Sequence, residues 1–261
     1  MFINNLNPVF INIGFVEIRW YSLAYIFGIL FAVIFSKILI KKFSLNYKQD
    51  IFDDFLPYSI IGIIFGGWLG YVIFFDFFFF VNYGIEIIKI WNGGMSFHGG
   101  LIGVILASSL FCKKNNLNYL NFTDLLAVLT PFGLFLGRIS IFINSELIGK
   151  PTDVPWSVIF IKVDNLARHP SQIYEAFLEG LLLFCLTYLI FKNKFSIKGF
   201  TSGCFLTLYG IFRIFSEQFR QPDLHLGLIL FNFSLGSILS FVMIFFGIYL
   251  ILNNNEHSKK I

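Results

Sequence analysis

Two runs of this 261-residue chain set arginine and glutamate at spacings suited to handling an anion. GRISIFINSELIG, Gly137 to Gly149, carries Arg138 and Glu146, and YGIFRIFSEQFRQPD, Tyr209 to Asp223, carries Arg213, Glu217 and Arg220. A helical repeat puts Arg138, Ile141, Ser145 and Glu146 on one face, and Arg213, Glu217 and Arg220 on one stripe that Pro222 ends. Both runs adjoin long apolar stretches. A cation near mid-bilayer costs about 2.5 to 3.5 kcal/mol on insertion scales, so such a residue is a functional candidate by default. Four of the five arginines (Arg19, Arg138, Arg213, Arg220) lie inside or at the rim of apolar stretches, whereas the segments between those stretches carry mainly lysine. The planar guanidinium fork grips phosphate bidentately where lysine cannot, so this division points to chemistry at a phospholipid headgroup. Two plainer readings compete with it: Arg138 snorkelling beside Glu146, and an Arg/Glu ladder that only holds helices together.

WNGGMSFHGGLIG, Trp91 to Gly103, surrounds His98 with glycines that let a backbone or a ligand approach closely. A histidine there is suited to proton transfer, although a lone interfacial histidine is more often structural. Tyr21 in RWYS and Tyr174 in RHPSQIYE would ordinarily be interface-belt residues. Cys112, Cys185 and Cys204 sit in apolar stretches without CxxC spacing, which predicts packing residues rather than disulfides or metal ligands.

The elements that position these residues follow from composition. At 57% hydrophobic and 13% charged, the chain departs far from a soluble domain and reads as an all-α polytopic membrane protein. Apolar runs of spanning length fall near residues 20 to 40, 55 to 79, 94 to 112, 122 to 143, 173 to 191, 200 to 219 and 227 to 252. Seven transmembrane helices are expected. The segments after the first, third, fifth and seventh hold eleven lysines, so the positive-inside rule puts the N-terminus outside and the C-terminus in the cytoplasm. No cation precedes Arg19 and no cleavage-like site follows a short apolar core, so the first helix is expected to be retained. Asp76 and Phe77 to Phe80 predict an aromatic belt at the outer rim of the second helix. One domain spanning 1 to 261 is expected, with a small periplasmic cap at about 144 to 171.

The motifs RWY, GGMSFHGGLIG, GRISIFINSELIG, RHPSQIYE and YGIFRIFSEQFRQPD, in this order, resemble the bacterial prolipoprotein diacylglyceryl transferase family over nearly the whole chain. The resemblance implies a multi-pass inner-membrane enzyme that moves the diacylglyceryl group of phosphatidylglycerol onto the lipobox cysteine thiol of a preprolipoprotein, releasing sn-glycerol 1-phosphate. By motif, Arg138 looks like the family's phosphatidylglycerol-binding residue and Arg213 like its essential partner. His98, Tyr21 and Glu146 align with catalytic positions, and Asn144, Gly149 and Glu217 with lipid-binding ones. No cofactor, metal or nucleic-acid partner is implied. The chemistry is consistent: sulfur attacks the glyceryl carbon, a phosphate monoester leaves, and fixed cations stabilise its growing charge. A base such as His98 would supply the thiolate.

The chain also departs from the family pattern. Ile141 stands where asparagine is usual, Ser140 and Ser145 where glycines are common, and Trp68 where arginine is usual, while Lys150 to Ala167 is short. Either the chain has lost a hydrogen bond that supports Arg138, or Ser140, Asn144 or Ser145 supplies it. The competing function is an anionic-lipid-binding or transport membrane protein that transforms nothing.

Overall fold

The structure is a computed structural model that describes residues 2–14, 16–74, 95–222 and 234–258. The expected aromatic belt at 76–80, Gly93, Gly94, Asp223 and the terminal lysines lie outside the described residues. The chain divides into two compact units, one of residues 1–36 and 124–261 and the other of 37–123.

The long helices fall where the apolar runs predict. They are α1 (Trp20–Lys42), α2 (Ile51–Phe74), α3 (Phe97–Lys114) and α4 (Tyr119–Asn144). Next comes one run made of α5 (Ser171–Glu175), a π-helical segment (Ala176–Leu182) and α6 (Leu183–Lys194), then α7 (Phe200–Glu217) and α8 (Leu235–Ser258). Five of these, within 20–42, 51–73, 119–144, 171–194 and 236–253, are long and apolar enough to cross a membrane. The protein is a mostly helical multi-pass membrane protein. The all-α expectation agrees with this mostly helical frame, and beside it the described residues include five short strands where the chain leaves the helices: β1 (Phe2–Asn4), β2 (Val9–Ile13), β3 (Val16–Arg19), β4 (Val158–Phe160) and β5 (Ala167–Arg168). They are too short, and too dispersed among turn residues, for alternation to reveal them.

In the unit of residues 37–123, α2 and α3 pack through two matched stripes of small residues. Gly62, Gly66 and Gly70 recur every fourth residue on α2, facing Gly99, Gly103 and Ala107 on α3; a Cβ on Gly70 would lie 2.5 Å from the Gly99 Cα. Glycine is needed here because the two backbones touch. Phe55, Phe111 and Phe122 close the far end, with ring centroids 5.0 to 5.4 Å apart. Ser96 caps α3 by accepting from the Gly99 N–H at 3.2 Å. Trp68, at the position where arginine was expected, is buried and stacks on Tyr71.

In the other unit, Phe31 and Phe35 of α1 interlock with Phe132 of α4 and Phe184 of α6, the closest pair being Phe31 and Phe132 at 3.9 Å. Helix α7 follows Gly199, which has φ 76° and, as a glycine, no side chain to cap it. Asp124 of α4 does so instead. Its buried carboxylate accepts from the Gly199 N–H, the Ser202 N–H and the Ser202 hydroxyl, each at 2.7 Å, placing a negative charge on the positive end of the helix.

At the opposite ends of these helices the strands assemble a cap. β1 pairs in parallel with β4, which pairs antiparallel with β5, and β2 and β3 form a separate antiparallel hairpin. The buried Asn4 side chain donates to the Phe142 carbonyl at 2.7 Å, fixing β1 to the end of α4. Arg168, also buried, donates to the Gly149 carbonyl at 2.9 Å, to Asp164 and to Gln221. That guanidinium holds the Asp164 carboxyl below its usual range.

Helix α4 stops at Asn144 because Ser145 adopts φ 62°, the left-handed conformation that favours glycine. The buried Ser145 hydroxyl has no hydrogen-bond partner among the described residues. Relieving both penalties, Ser145→Gly should stabilise the fold by about 1 kcal/mol or more. A denaturant titration in detergent checks this, and a destabilised variant would show that the hydroxyl is needed.

Candidate active site

Arg138, Arg213 and Arg220 converge with three glutamates inside the unit of residues 1–36 and 124–261. Arg138, on α4, spans two carboxylates, with Nη1 at 2.9 Å from Glu175 and Nη2 at 2.9 Å from Glu179. Arg213, on α7, reaches Glu175 at 2.6 Å, Glu179 at 3.6 Å and Glu217 at 2.5 Å. Arg220 lies 3.9 Å from Glu175. Ser216 donates to Glu179 at 3.0 Å. Glu175 and Glu179 are fully buried and both arginine side chains nearly so. Buried charges are tolerated when paired and hydrogen-bonded, and three arginines against three glutamates leave this set neutral.

Local structure explains the convergence. Glu179 belongs to the π-helical segment, a form that recurs at functional sites. Gly180 in the same segment lies against Phe135 of α4, where a Cβ would come within 2.6 Å of the Phe135 Cα. This close approach lets α4 present Arg138 directly to both glutamates.

A second group forms where α4 ends. The Tyr21 hydroxyl donates to Glu146 at 2.7 Å, and Asn144 donates to the other Glu146 oxygen at 3.2 Å. Gln172, fully buried, donates to the Glu146 carbonyl at 2.6 Å. Gly149 bridges to Arg220 as an isolated antiparallel pair. A Cβ there would meet His169, 2.9 Å from its Cβ, so glycine is required by the crossing of the two backbones.

These contacts correct the helical-face expectation. The turn at Ser145 removes Glu146 from the Arg138 face, and Arg138 pairs with Glu175 and Glu179, so it is not a snorkelling residue partnered by Glu146. The i, i+4 pairing of Arg213 with Glu217 holds, but α7 ends at Glu217 and Arg220 sits beyond it. Among the candidates for supporting Arg138, Ser140 donates to the Trp20 and Leu136 carbonyls and Asn144 to Glu146. The arginine fork is held by carboxylates instead.

His98 lies in the unit of residues 37–123, half-buried in the first turn of α3. The glycines after it, Gly99 and Gly103, serve the packing against α2, which accounts for them without a ligand. Sequence reasoning missed Glu175 and Glu179. The available signal was their spacing, two carboxylates four residues apart within an apolar run that must find cations.

The arrangement offers several N–H donors in a water-poor setting, already aimed and already charged. An entering phosphate would compete with Glu175 and Glu179 for the donors of Arg138 and Arg213, so the carboxylates both orient the forks and set the threshold for taking an anion.

Helices of membrane-crossing length around a buried, charge-balanced cluster of arginines and glutamates define a membrane-embedded protein with a polar interior. A family profile described as Prolipoprotein diacylglyceryl transferase matches residues 8–253, and the chain belongs to that family. Relatives named phosphatidylglycerol--prolipoprotein diacylglyceryl transferase match nearly its whole length. The Rickettsia akari protein is 48% identical over 96% of this chain and 98% of its own length. The corresponding figures are 46%, 97% and 97% for Rickettsia bellii, and 46%, 98% and 100% for Rickettsia typhi.

Proposed function

We propose that this protein transfers the sn-1,2-diacylglyceryl group of phosphatidylglycerol to the lipobox cysteine of a preprolipoprotein. The cysteine sulfur bonds to the glyceryl carbon, that carbon's bond to the phosphate oxygen breaks, and sn-glycerol 1-phosphate leaves. The thiol proton passes to a base. The observation that carries the reading is the pair of forks, Arg138 and Arg213, held on the shared carboxylate of Glu175 at 2.9 and 2.6 Å, in a chain whose full-length relatives bear that enzyme's name.

In this reading Arg138 and Arg213 hold the departing phosphate, and Glu217 orients Arg213. Tyr21 and Glu146 belong to the catalytic set, and Asn144, Gly149 and Glu217 to the phosphatidylglycerol-binding one. His98 receives the thiol proton, and His98→Gln should lower the chemical step while leaving phosphatidylglycerol affinity intact; loss of affinity with normal chemistry would move the base elsewhere. The chain works as one domain in the bacterial inner membrane, with seven spans, its N-terminus outside, its C-terminus cytoplasmic and segment 144–171 as a periplasmic cap. A reporter after Lys260 should read cytoplasmic and one near Asp153 periplasmic, and the reverse at either site would overturn the orientation.

Purified protein in nanodiscs containing phosphatidylglycerol, given a synthetic lipobox peptide, should release glycerol phosphate in step with a diacylglyceryl mass gain on the peptide. Lipid binding with neither product would leave only an anionic-lipid receptor.

A further inference from the structure

The β2–β3 hairpin is two-faced. Its register pairs Ile11 with Ile18 and Ile13 with Val16, whereas Asn12 pairs with Glu17 and Val9 with Arg19. Because strand residues alternate sides, Ile11, Ile13 and Ile18 occupy one face, and Asn12, Glu17 and Arg19 the other, with Val9 beside Arg19. On the polar face Arg19 and Glu17 pair at 3.2 Å, well exposed. On the apolar face Ile11 is 44% and Ile13 62% exposed. An isolated two-stranded hairpin is at best marginally stable, so an aliphatic face left this open needs a cover.

The connection to α1 identifies the cover. Strand β3 runs directly into α1 without a linker. The first residue of that helix, Trp20, donates its backbone N–H to the Pro8 carbonyl and its indole N–H to the Asn7 carbonyl, both at 3.1 Å. The register shift between Val9 and Ile11 marks Phe10 as the bulged residue, and its ring packs edge-on against Trp20 at 4.8 Å. The hairpin is therefore fastened to the entry turn of a membrane-crossing helix. Continuous with it, α1 exposes Tyr25, Phe27 and Ile34 at more than 55% each, the surface that faces lipid.

We propose that the hairpin is an interfacial blade, its Ile11/Ile13 face seated on the bilayer at the boundary of headgroups and acyl chains and its Asn12/Glu17/Arg19 face turned to water. An amphipathic element with this division lies in the plane of the interface. Seated this way, it fixes the depth at which α1, and Tyr21 with it, enters the membrane. The proposal is independent of the transferase reading.

The test places a benzophenone amino acid at Ile11, Ile13 or Asn12 of the full chain in nanodiscs of phosphatidylglycerol and phosphatidylcholine, with intact mass measured after irradiation. Ile11 and Ile13 should yield phospholipid adducts about fivefold or more above Asn12, as expected for a face seated in the interface. Two apolar-face positions are probed so that poor insertion of one variant leaves the other to decide. Equal adducts at all three positions, or none, would overturn the proposal. So would a cross-linked second copy, which would make the face a dimer contact, or an adduct that switches from lipid to an added lipobox peptide, which would make it a substrate seat.

Discussion

Replacing Arg138 or Arg213 with lysine is expected to cut turnover about 10²- to 10³-fold, the loss typical of removing one preorganised group that stabilises a developing oxyanion. The geometry explains why a retained charge is not enough. The two Arg138 amino groups reach different carboxylates, Glu175 and Glu179, at 2.9 Å each, and Arg213 likewise divides its fork between Glu175 and Glu217. A lysine ammonium is a point donor on a flexible stem and cannot hold two fixed partners while meeting a phosphate. Net charge in the cluster is preserved in either variant, so the protein should still insert, although a buried carboxylate that loses its partner lowers stability. Glycerol phosphate release per inserted protein is the measurement. Near-normal turnover in either variant would remove that arginine from the leaving-group site.

Glu175→Gln should be the most damaging single change to stability, by about 3 to 5 kcal/mol, the cost of breaking a buried pair and stranding its partner. Glu175 is fully buried and meets all three arginines, at 2.9, 2.6 and 3.9 Å. Its neutralisation leaves the set with an uncompensated positive charge in a low-dielectric interior, and both forks lose their shared anchor. Glu217→Gln serves as the comparison, because Glu217 is partly exposed and its ion pair is with Arg213. Denaturant titration of both variants in the same detergent should show the larger loss at position 175. Equal losses would mean that Glu175 is no more central than a peripheral partner.

Much of the helical frame was legible because bilayer-length apolar runs leave few alternatives. The run near 173 to 191 predicts a helix where Ser171–Lys194 forms one. Its π-helical turn was not legible, since it depends on Gly180 meeting Phe135 from a helix more than forty residues earlier in the chain. The site divides the same way. Arg138, Arg213 and Glu217 stood out as charges amid apolar residues, whereas the partners of Arg138 came from another helix and no local spacing links them. Helical periodicity placed Glu146 with Arg138 because it carried the helix past Asn144; the left-handed Ser145 ends it. The glycines after His98 were visible, but whether they met a ligand or another helix depended on Gly62, Gly66 and Gly70 standing opposite.

The parallel pairing of Phe2, Ile3 and Asn4 with Val158, Ile159 and Phe160 sets a timetable for biogenesis. At about 5 to 20 residues per second, roughly 8 to 30 s separate synthesis of the two strands. Throughout that interval the first strand lacks its strand partner, while four long helices are made behind it. The cap above the arginine cluster thus joins the first strand of the chain to one that is made after Arg138 and before Arg213. Chains arrested before residue 158 should leave Phe2 to Asn4 open to protease, and chains arrested far enough past Arg168 for β5 to clear the ribosome should protect them; early protection would mean that the strand is held by something other than β4.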